Sequence, residues 1–246
     1  ILNPSGSGKL SKRDAFKNNY SIFPIGWEKI DGLKEAGFLA EAQLAYVSQL
    51  GSSFNHDVVE FDVDKMSKKF RLSALQRGGA RFDFEKAKSI NQKILSKKNS
   101  SLLITEHPKV FEGLIKATGN NALEVVDLIK TRVSLLTDFQ KELNPFVQDP
   151  KEFDMGAIKN ILKSVRLNDL NIIGENIKLN KTNSIKEGVY KDSQIKGVSF
   201  GKLMQFLRIS LVGDLSGPDV FFIIKIVGKD VTLRRLNSLI EKIQKQ

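Results

Sequence analysis

Two lysines and an arginine lie close together near the start of the chain, in the sequence Gly-Lys-Leu-Ser-Lys-Arg at positions 8–13. Cationic side chains neutralise phosphate oxygens, and small flanking residues let the backbone approach a phosphate closely. Lys9, Lys12 and Arg13 therefore predict a flexible clamp for a polyphosphate. Most short basic loops are ordinary solvated surface, so the pattern needs support from the rest of the chain.

The same segment superficially fits a P-loop, but two of its positions do not match. The pattern G-x-x-x-x-G-K-[ST] requires a glycine where Asn3 stands and a magnesium-binding hydroxyl where Leu10 stands. A P-loop also needs a buried strand before it. We therefore reject this nucleotide-binding motif.

Positive charge dominates the composition, with 39 lysines and arginines against 28 aspartates and glutamates and a net charge of +11. An anionic partner is expected, either nucleic acid or an acidic membrane surface. No apolar run approaches the roughly 18–20 residues that span a bilayer, so we expect no membrane insertion. The absence of cysteine fits a cytoplasmic protein, and two histidines, His56 and His107, argue against a multi-histidine metal site.

The spacing of apolar residues predicts a chain that is mainly α. Residues 32–51 are predicted to form one helix or two, and Asp83 is the expected N-cap of a helix over residues 86–95. The lysine- and serine-rich tract 96–101 predicts a linker and a domain boundary. Residues 170–183 are polar, and their pattern predicts no element.

Beyond that tract, the pattern predicts a helix bundle. Asn144-Pro145 and Asp149-Pro150 interrupt it, and Asp154 is expected to cap the next helix. Ser216-Gly217-Pro218 predicts a helix start with the proline at the first helical position. The residues expected to line buried helix faces are Leu203, Leu207, Leu211, Val220, Ile223, Ile224, Val227, Leu236, Leu239, Ile240 and Ile243.

Three segments in order resemble one family. Residues 8–13 resemble the KMSKS-type signature of class I aminoacyl-tRNA synthetases, in the variant typical of glutamyl-tRNA synthetases. Residues 77–91 are similar to a family segment with a small-residue turn, a Phe-Asp pair, a helix and an asparagine, and residues 201–221 are similar to the family's C-terminal end. The chain thus resembles the C-terminal part of a bacterial-type enzyme, without the HIGH-type motif and the nucleotide-binding Rossmann half.

This resemblance implies a mainly α fold, in which a small mixed α/β domain that braces the tRNA stem precedes an α-helical bundle that binds the anticodon. The implied boundaries are 1–15 for the loop that ends the catalytic domain and 16–95 for the stem-contact connecting domain. Residues 96–155 and 156–246 are then the first and second helical subdomains of the anticodon-binding domain.

The resemblance also implies site residues. Lys12 would be the catalytic lysine that contacts ATP, with Lys9 as its helper, because the family's loop stabilises the charge that builds on the α-phosphate and the leaving pyrophosphate as the aminoacyl-adenylate forms. The ATP loop would comprise Lys9, Leu10, Ser11, Lys12 and Arg13. The implied contacts to tRNA phosphates are Lys65, Lys68, Lys69, Arg71, Arg77 and Arg81. The implied anticodon contacts are Arg208, Gly217 and Pro218, together with Arg132 and Arg166, each of which is expected to lie in a helix that faces the RNA. For each of these lysines and arginines, the simpler alternative is an ordinary solvated charge, or a side chain whose aliphatic part covers apolar surface.

The whole enzyme would couple glutamate to its tRNA with ATP and Mg²⁺. The present chain is expected to be a monomer that binds glutamate-type tRNA, binds no cofactor, and does not catalyse ATP–pyrophosphate exchange, because ATP and glutamate would require the N-terminal half. Two alternatives stay open: a stand-alone basic helical RNA-binding protein, and a helical scaffold that binds other proteins.

Overall fold

Helices make up nearly all of the regular structure in the computed structural model of the protein, which describes residues 2, 8–17, 25–26, 31–50, 52, 62–75 and 78–245. Among these residues, β pairing is limited to three isolated bridges, which join Leu2 to Lys9, Leu2 to Arg81 and Ser52 to Leu75. The prediction of a mainly α fold is confirmed. No described helix has both the length and the apolar composition needed to cross a membrane.

The described residues form fourteen α-helices and several short 3₁₀ turns. In chain order the α-helices are α1 (Lys12–Lys17), α2 (Ala40–Gln49), α3 (Val63–Lys69), α4 (Phe84–Lys97), α5 (Ser100–Glu106), α6 (Pro108–Thr118), α7 (Ala122–Ile129), α8 (Phe139–Val147), α9 (Met155–Leu162), α10 (Asn171–Leu179), α11 (Ile185–Ile195), α12 (Phe200–Val212), α13 (Val220–Val227) and α14 (Lys229–Gln244). The chain divides into two units. One contains residues 1–110 and 123–140, and the other contains residues 111–122 and 141–246.

The core of the first unit forms where α2 packs against α4. Asp83 caps α4 as predicted, since its Oδ1 accepts a hydrogen bond from the Lys86 amide at 2.9 Å. The Asp83 amide in turn donates to the Tyr46 hydroxyl at 2.7 Å, and the Tyr46 ring packs edge-on against Phe82. Asn91, on the buried face of α4, accepts from the Leu39 amide at 2.9 Å and donates to the Ser134 carbonyl at 2.5 Å. One asparagine thus joins three segments of the unit.

The tract 96–101 is not a linker, contrary to the prediction. Helix α4 continues to Lys97, and α5 begins at Ser100. Between them, the Lys98 ammonium lies 2.5 Å from a Glu41 carboxylate oxygen and 2.8 Å from one of Glu106. Partial burial lowers the pKa of Lys98, but hydrogen bonds to the two carboxylates outweigh it and raise the pKa above its ordinary value. The lysine therefore serves as a structural ion-pair centre rather than as a solvating residue.

Helix α12 lies at the centre of the second unit and packs against α9, α11, α13 and α14. The predicted stripe of Leu203, Leu207 and Leu211 is fully buried, which confirms the prediction for this helix. Asp154 caps α9 as predicted, because its Oδ1 accepts from the Ala157 amide at 2.8 Å. The mutual burial of these helices provides the main apolar stabilisation of the unit.

Two local predictions in this unit are wrong, and a segment for which no element was predicted contains a helix. Pro145 does not interrupt a helix but lies inside α8, two residues before its end. Pro218 is not the first residue of α13, because Asp219 intervenes as the N-cap and accepts hydrogen bonds from the Phe221 and Phe222 amides. The polar segment 170–183 is largely helical, since α10 buries several isoleucines and its buried Asn176 donates to an Asp192 carboxylate oxygen at 2.7 Å.

Candidate nucleic-acid interface

The basic loop near the start of the chain leads into the six-residue helix α1. The Ser11 hydroxyl donates to the Asp14 carboxylate at 2.6 Å and accepts from the Asp14 amide at 3.1 Å, so the two residues cap each other. These hydrogen bonds hold the pKa of Asp14 below its ordinary value. The Leu10 side chain is buried, whereas Lys9 and Arg13 are exposed. Leucine and serine thus shape the loop, and exposed cations flank them.

The basic residues of the stem-contact prediction lie on exposed surface. Helix α3 begins at Asp62, whose Oδ1 accepts from the Asp64 and Lys65 amides, and it buries none of its side chains. Arg71 follows the helix, and Arg81 pairs with Leu2 through an isolated bridge. The exposed members of the set are Lys65, Lys68, Lys69, Arg71 and Arg81, while Arg77 lies outside the described residues.

A groove of about 450 Å³ opens in the second unit between the segment 141–154 and the loop 212–218. We refer to it as the C-terminal groove. Its lining residues are Lys141, Glu142, Asn144, Pro145, Glu152, Phe153, Asp154, Val212, Gly213, Asp214, Ser216, Gly217 and Pro218. A neighbouring hollow of about 300 Å³ extends it along the Gln148–Glu152 segment and Leu211. Gly217 and Pro218, both predicted to contact RNA, line this groove.

Gly213 brings the two walls of the groove together. It ends α12 with φ +90°, a backbone conformation that residues with a side chain rarely adopt. A Cβ at this position would lie 2.5 Å from the Glu152 carbonyl oxygen. The Gly213 carbonyl also accepts a hydrogen bond from the Asp154 amide at 2.8 Å. A side chain at position 213 would therefore push the walls apart.

Arg208 holds the loop that forms one wall. Its Nη1 donates to the carbonyl oxygens of Gly217 at 3.1 Å and Pro218 at 2.6 Å. Nε and Nη2 make no hydrogen bond within the described part of the chain. Arg208 is half-buried and does not line the groove itself. The structure therefore brings together three of the five predicted anticodon contacts.

Neither of the other two predicted arginines is within an α-helix, contrary to expectation. Arg132 belongs to a turn just beyond α7, in the first unit. Arg166 precedes a 3₁₀ turn and forms a two-point ion pair with Asp169 at 3.1 and 3.2 Å. The pair lowers the pKa of Asp169 and raises that of Arg166. The Arg166 side chain is 84 % exposed, so it stays accessible to a ligand.

The chemistry of the C-terminal groove suits base edges better than phosphates. Its lining includes the carboxylates of Glu142, Glu152, Asp154 and Asp214, which repel a phosphate but accept hydrogen bonds from exocyclic amino groups. Asn144 and Ser216 add side chains that both donate and accept. Unpaired RNA bases present donors and acceptors of this kind once they are splayed from the helix.

Arg235 is a buried polar residue of this region that the sequence pattern did not predict. Its side chain is 4 % exposed, and the guanidinium reaches Asp149, Pro145, Gln148 and Leu211, which line the groove and its extension. The available signal was its position on α14, where Thr232, Arg235 and Leu239 share a helical face. An arginine on an apolar stripe indicates a buried polar partner, which the leucine pattern alone does not reveal.

Residues 95–240 match the family model described as anticodon binding domain. Over 99 % of its length, the chain is 34 % identical to the glutamate–tRNA ligases of Christiangramia forsetii and Flavobacterium johnsoniae, and it covers 50 % of each. It also superposes on the crystal structure of a glutamate tRNA ligase from Elizabethkingia meningosepticum in complex with its amino acid. That similarity has a TM-score of 0.82 at 34 % identity over 98 % of this chain and 50 % of the other. The chain therefore spans about half the length of the relatives it matches.

Proposed function

The chain belongs to the anticodon-binding domain family, and we propose that it is the tRNA-binding part of a glutamate–tRNA ligase that works in the cytoplasm. In this proposal residues 16–95 contact the tRNA stem, residues 96–246 bind the anticodon, and the chain acts as a monomer. The whole enzyme would join glutamate to its tRNA at the expense of ATP. The net charge of +11 supports the polyanionic partner.

The observation that carries the proposal is the C-terminal groove. It combines a volume within the roughly 300–1,000 Å³ of small-molecule sites with polar groups suited to a base edge. Its loop is fixed on one side by Arg208 and on the other by the hydrogen bond between Gly213 and Asp154. A site built in advance in this way loses little entropy when an unpaired base enters.

Arg208 contributes twice in this proposal. Nη1 fixes the turn at Gly217 and Pro218, and the remaining donors, Nε and Nη2, meet the RNA beside the groove. Arg132 and Arg166 are proposed as outer contacts, which position the RNA through phosphates rather than read its sequence.

The loop at residues 8–13 is proposed to complete the ATP site of the whole enzyme. The exposed cations Lys9 and Arg13 flank the buried Leu10, an arrangement that suits phosphate contact. Lys12 would be the catalytic lysine, and Ser11 would shape the loop through its bond to Asp14. ATP would enter with Mg²⁺. Among the described residues, no group of three or more histidine or acidic side chains is placed to hold a metal ion.

The proposal is tested by binding of the 246-residue chain to two anticodon stem-loops, one of glutamate type and one with altered anticodon bases. We expect tighter binding of the glutamate-type loop. We also expect affinity for both loops to fall steeply between about 50 and 200 mM salt, because each phosphate contact releases counterions. Equal affinity for the two loops would contradict anticodon recognition, and an affinity independent of salt would contradict the phosphate contacts.

A pair of matched variants locates the site. Ser216→Phe places a large ring at the groove lining, whereas Ser238→Phe places the same ring on the exposed face of α14, away from the groove. The proposal expects only Ser216→Phe to remove the preference for the glutamate-type loop. If both variants keep the preference, the anticodon binds elsewhere on the chain.

A further inference from the structure

Arg235 donates hydrogen bonds to four residues around the C-terminal groove and its extension. Its Nε donates to Asp149 Oδ1 at 2.8 Å, and Nη2 donates to the Gln148 carbonyl at 2.9 Å. Nη1 donates to the carbonyls of Pro145 at 2.7 Å and Leu211 at 3.3 Å. The side chain is only 4 % exposed, so these bonds replace the water that would otherwise solvate the cation.

The acceptors belong to two different helix ends. The Pro145 and Gln148 carbonyls lie at the end of α8, and the Leu211 carbonyl lies at the end of α12. The last carbonyls of a helix lack partners within the helix and carry partial negative charge, so a cation is well placed there. Pro145 lines the C-terminal groove, while Gln148, Asp149 and Leu211 line its extension. One guanidinium from α14 thus ties both walls together.

We propose that Arg235 is the positioning residue that sets the spacing of the groove walls for anticodon recognition, an inference that rests on the proposed function. Arg235 does not touch the base. It fixes the end of α8 relative to the end of α12, and the bond from the Asp154 amide to Gly213 continues the same connection toward the loop. The planar guanidinium fork sets these distances because its five N–H directions are fixed, which a lysine ammonium cannot reproduce.

A buried arginine could also serve stability alone, and the test separates the two roles. The variants are Arg235→Met, Arg235→Lys and, as a matched control, Arg234→Met. Arg234 also contacts Asp149, at 2.9 Å, but its side chain is 63 % exposed and its bond reaches neither helix-end carbonyl. The measurements on the whole chain are thermal unfolding, hydrogen exchange at the Asp154 amide, and the ratio of affinities for the two anticodon stem-loops.

At temperatures where both Arg235 variants stay folded, we expect faster hydrogen exchange at the Asp154 amide than in the wild type. We also expect the ratio of the two affinities to fall about tenfold, which is the size of one good base contact. Arg234→Met should change neither quantity. A folded Arg235→Met that keeps the wild-type ratio would overturn the inference. If Arg235→Met does not fold, Arg235→Lys decides the question, and a wild-type ratio in that folded variant would overturn the inference, because the guanidinium fork would then not set the spacing of the walls.

Failure of the proposed anticodon role can be distinguished from failure of the inference about Arg235. If the wild-type chain binds both stem-loops equally, the anticodon role is wrong whatever Arg235 does, and the inference falls with it. If the wild-type chain discriminates and the Arg235 variants also do, only the inference is wrong.

Discussion

Replacing Arg208 with methionine separates the two contributions proposed for this residue. Methionine keeps much of the apolar stem and removes the guanidinium, so the loop at Gly217 and Pro218 loses both hydrogen bonds. A hydrogen bond to a charged group contributes about 1.5–3 kcal/mol to stability. Arg208 is only half-buried, and one nitrogen serves both carbonyls, so we take the lower end and expect a loss of roughly 2 kcal/mol.

Besides this loss of stability, Arg208→Met is expected to weaken RNA recognition. If Nε and Nη2 meet a base, the preference for the glutamate-type stem-loop should fall by about 1–3 kcal/mol, the range of a good side-chain contact to a base. Arg208→Lys should retain the charge and thus the salt dependence, yet lose most of the preference because an ammonium lacks the fork. Lys202→Met is the control, since it removes one positive charge from the same helix.

The assay combines chemical denaturation with stem-loop binding at a fixed salt concentration. Our interpretation requires that Arg208→Met lower both the free energy of unfolding and the ratio of the two affinities, with Lys202→Met lowering neither by a comparable amount. If Arg208→Met weakens both stem-loops equally, Arg208 contacts only the RNA backbone. If it leaves the free energy of unfolding unchanged, the two loop bonds contribute nothing to stability and the geometric argument is wrong.

Three further predictions follow from single residues. Gly213→Ala should destabilise the second unit by more than about 1 kcal/mol and weaken stem-loop discrimination, whereas Gly197→Ala, with φ +63° and open space around it, should cost only the backbone strain. Asn91→Leu should lower the free energy of unfolding by about 2–4 kcal/mol, because it leaves two buried backbone groups without partners. The stability of the wild-type chain should fall as the pH drops from 7 through about 6.5, and His107→Gln should remove part of that fall.

The sign of the pH effect comes from the surroundings of His107. Partial burial of the ring lowers its pKa, and the nearby charge of Glu106 offsets this only in part. The unfolded chain therefore binds a proton at a higher pH than the folded chain, so stability is present above about pH 6.5 and is lost as the pH falls toward the lowered folded pKa. Since His56 is kept in both proteins, equal pH profiles for the wild type and His107→Gln would refute this assignment.

The predictions for the glycine and asparagine variants are checked by chemical denaturation. If Gly213→Ala and Gly197→Ala are equally stable and discriminate equally well, the close approach to the Glu152 carbonyl is unimportant. If Asn91→Leu unfolds at the same denaturant concentration as the wild type, the unpaired Leu39 amide and Ser134 carbonyl must find other partners.

Features determined by neighbouring residues could be predicted from the sequence. Asp83 and Asp154 were identified as helix caps because a cap involves only the next three residues. The buried stripe of α12 was identified because a helical period shows directly in the sequence. The order of three family-like segments likewise indicated the family before any contact was known.

Features determined by distant residues could not be predicted. Pro145 looks like a break from its local sequence, but α8 accommodates it near the helix end, where Arg235, 90 residues later, binds its carbonyl. Arg208 follows Leu207 of the predicted buried stripe, yet its bonds to the loop depend on the path of residues 213–218. Lys98 was assigned to a linker because its partner Glu41, 57 residues earlier, is invisible in the local composition.

The bond between Pro145 and Arg235 also bears on how the protein is made. At roughly 5–20 residues per second, a ribosome adds Arg235 about 5–18 seconds after Pro145. During that interval the end of α8 lacks this cation, whereas the bond between the Asp154 amide and the Gly213 carbonyl can already form. Contacts of such high sequence separation also form late in folding, because closing a long loop costs entropy first. The groove should therefore mature only after α14 has left the ribosome, and that event should set the earliest moment at which the proposed anticodon site is complete.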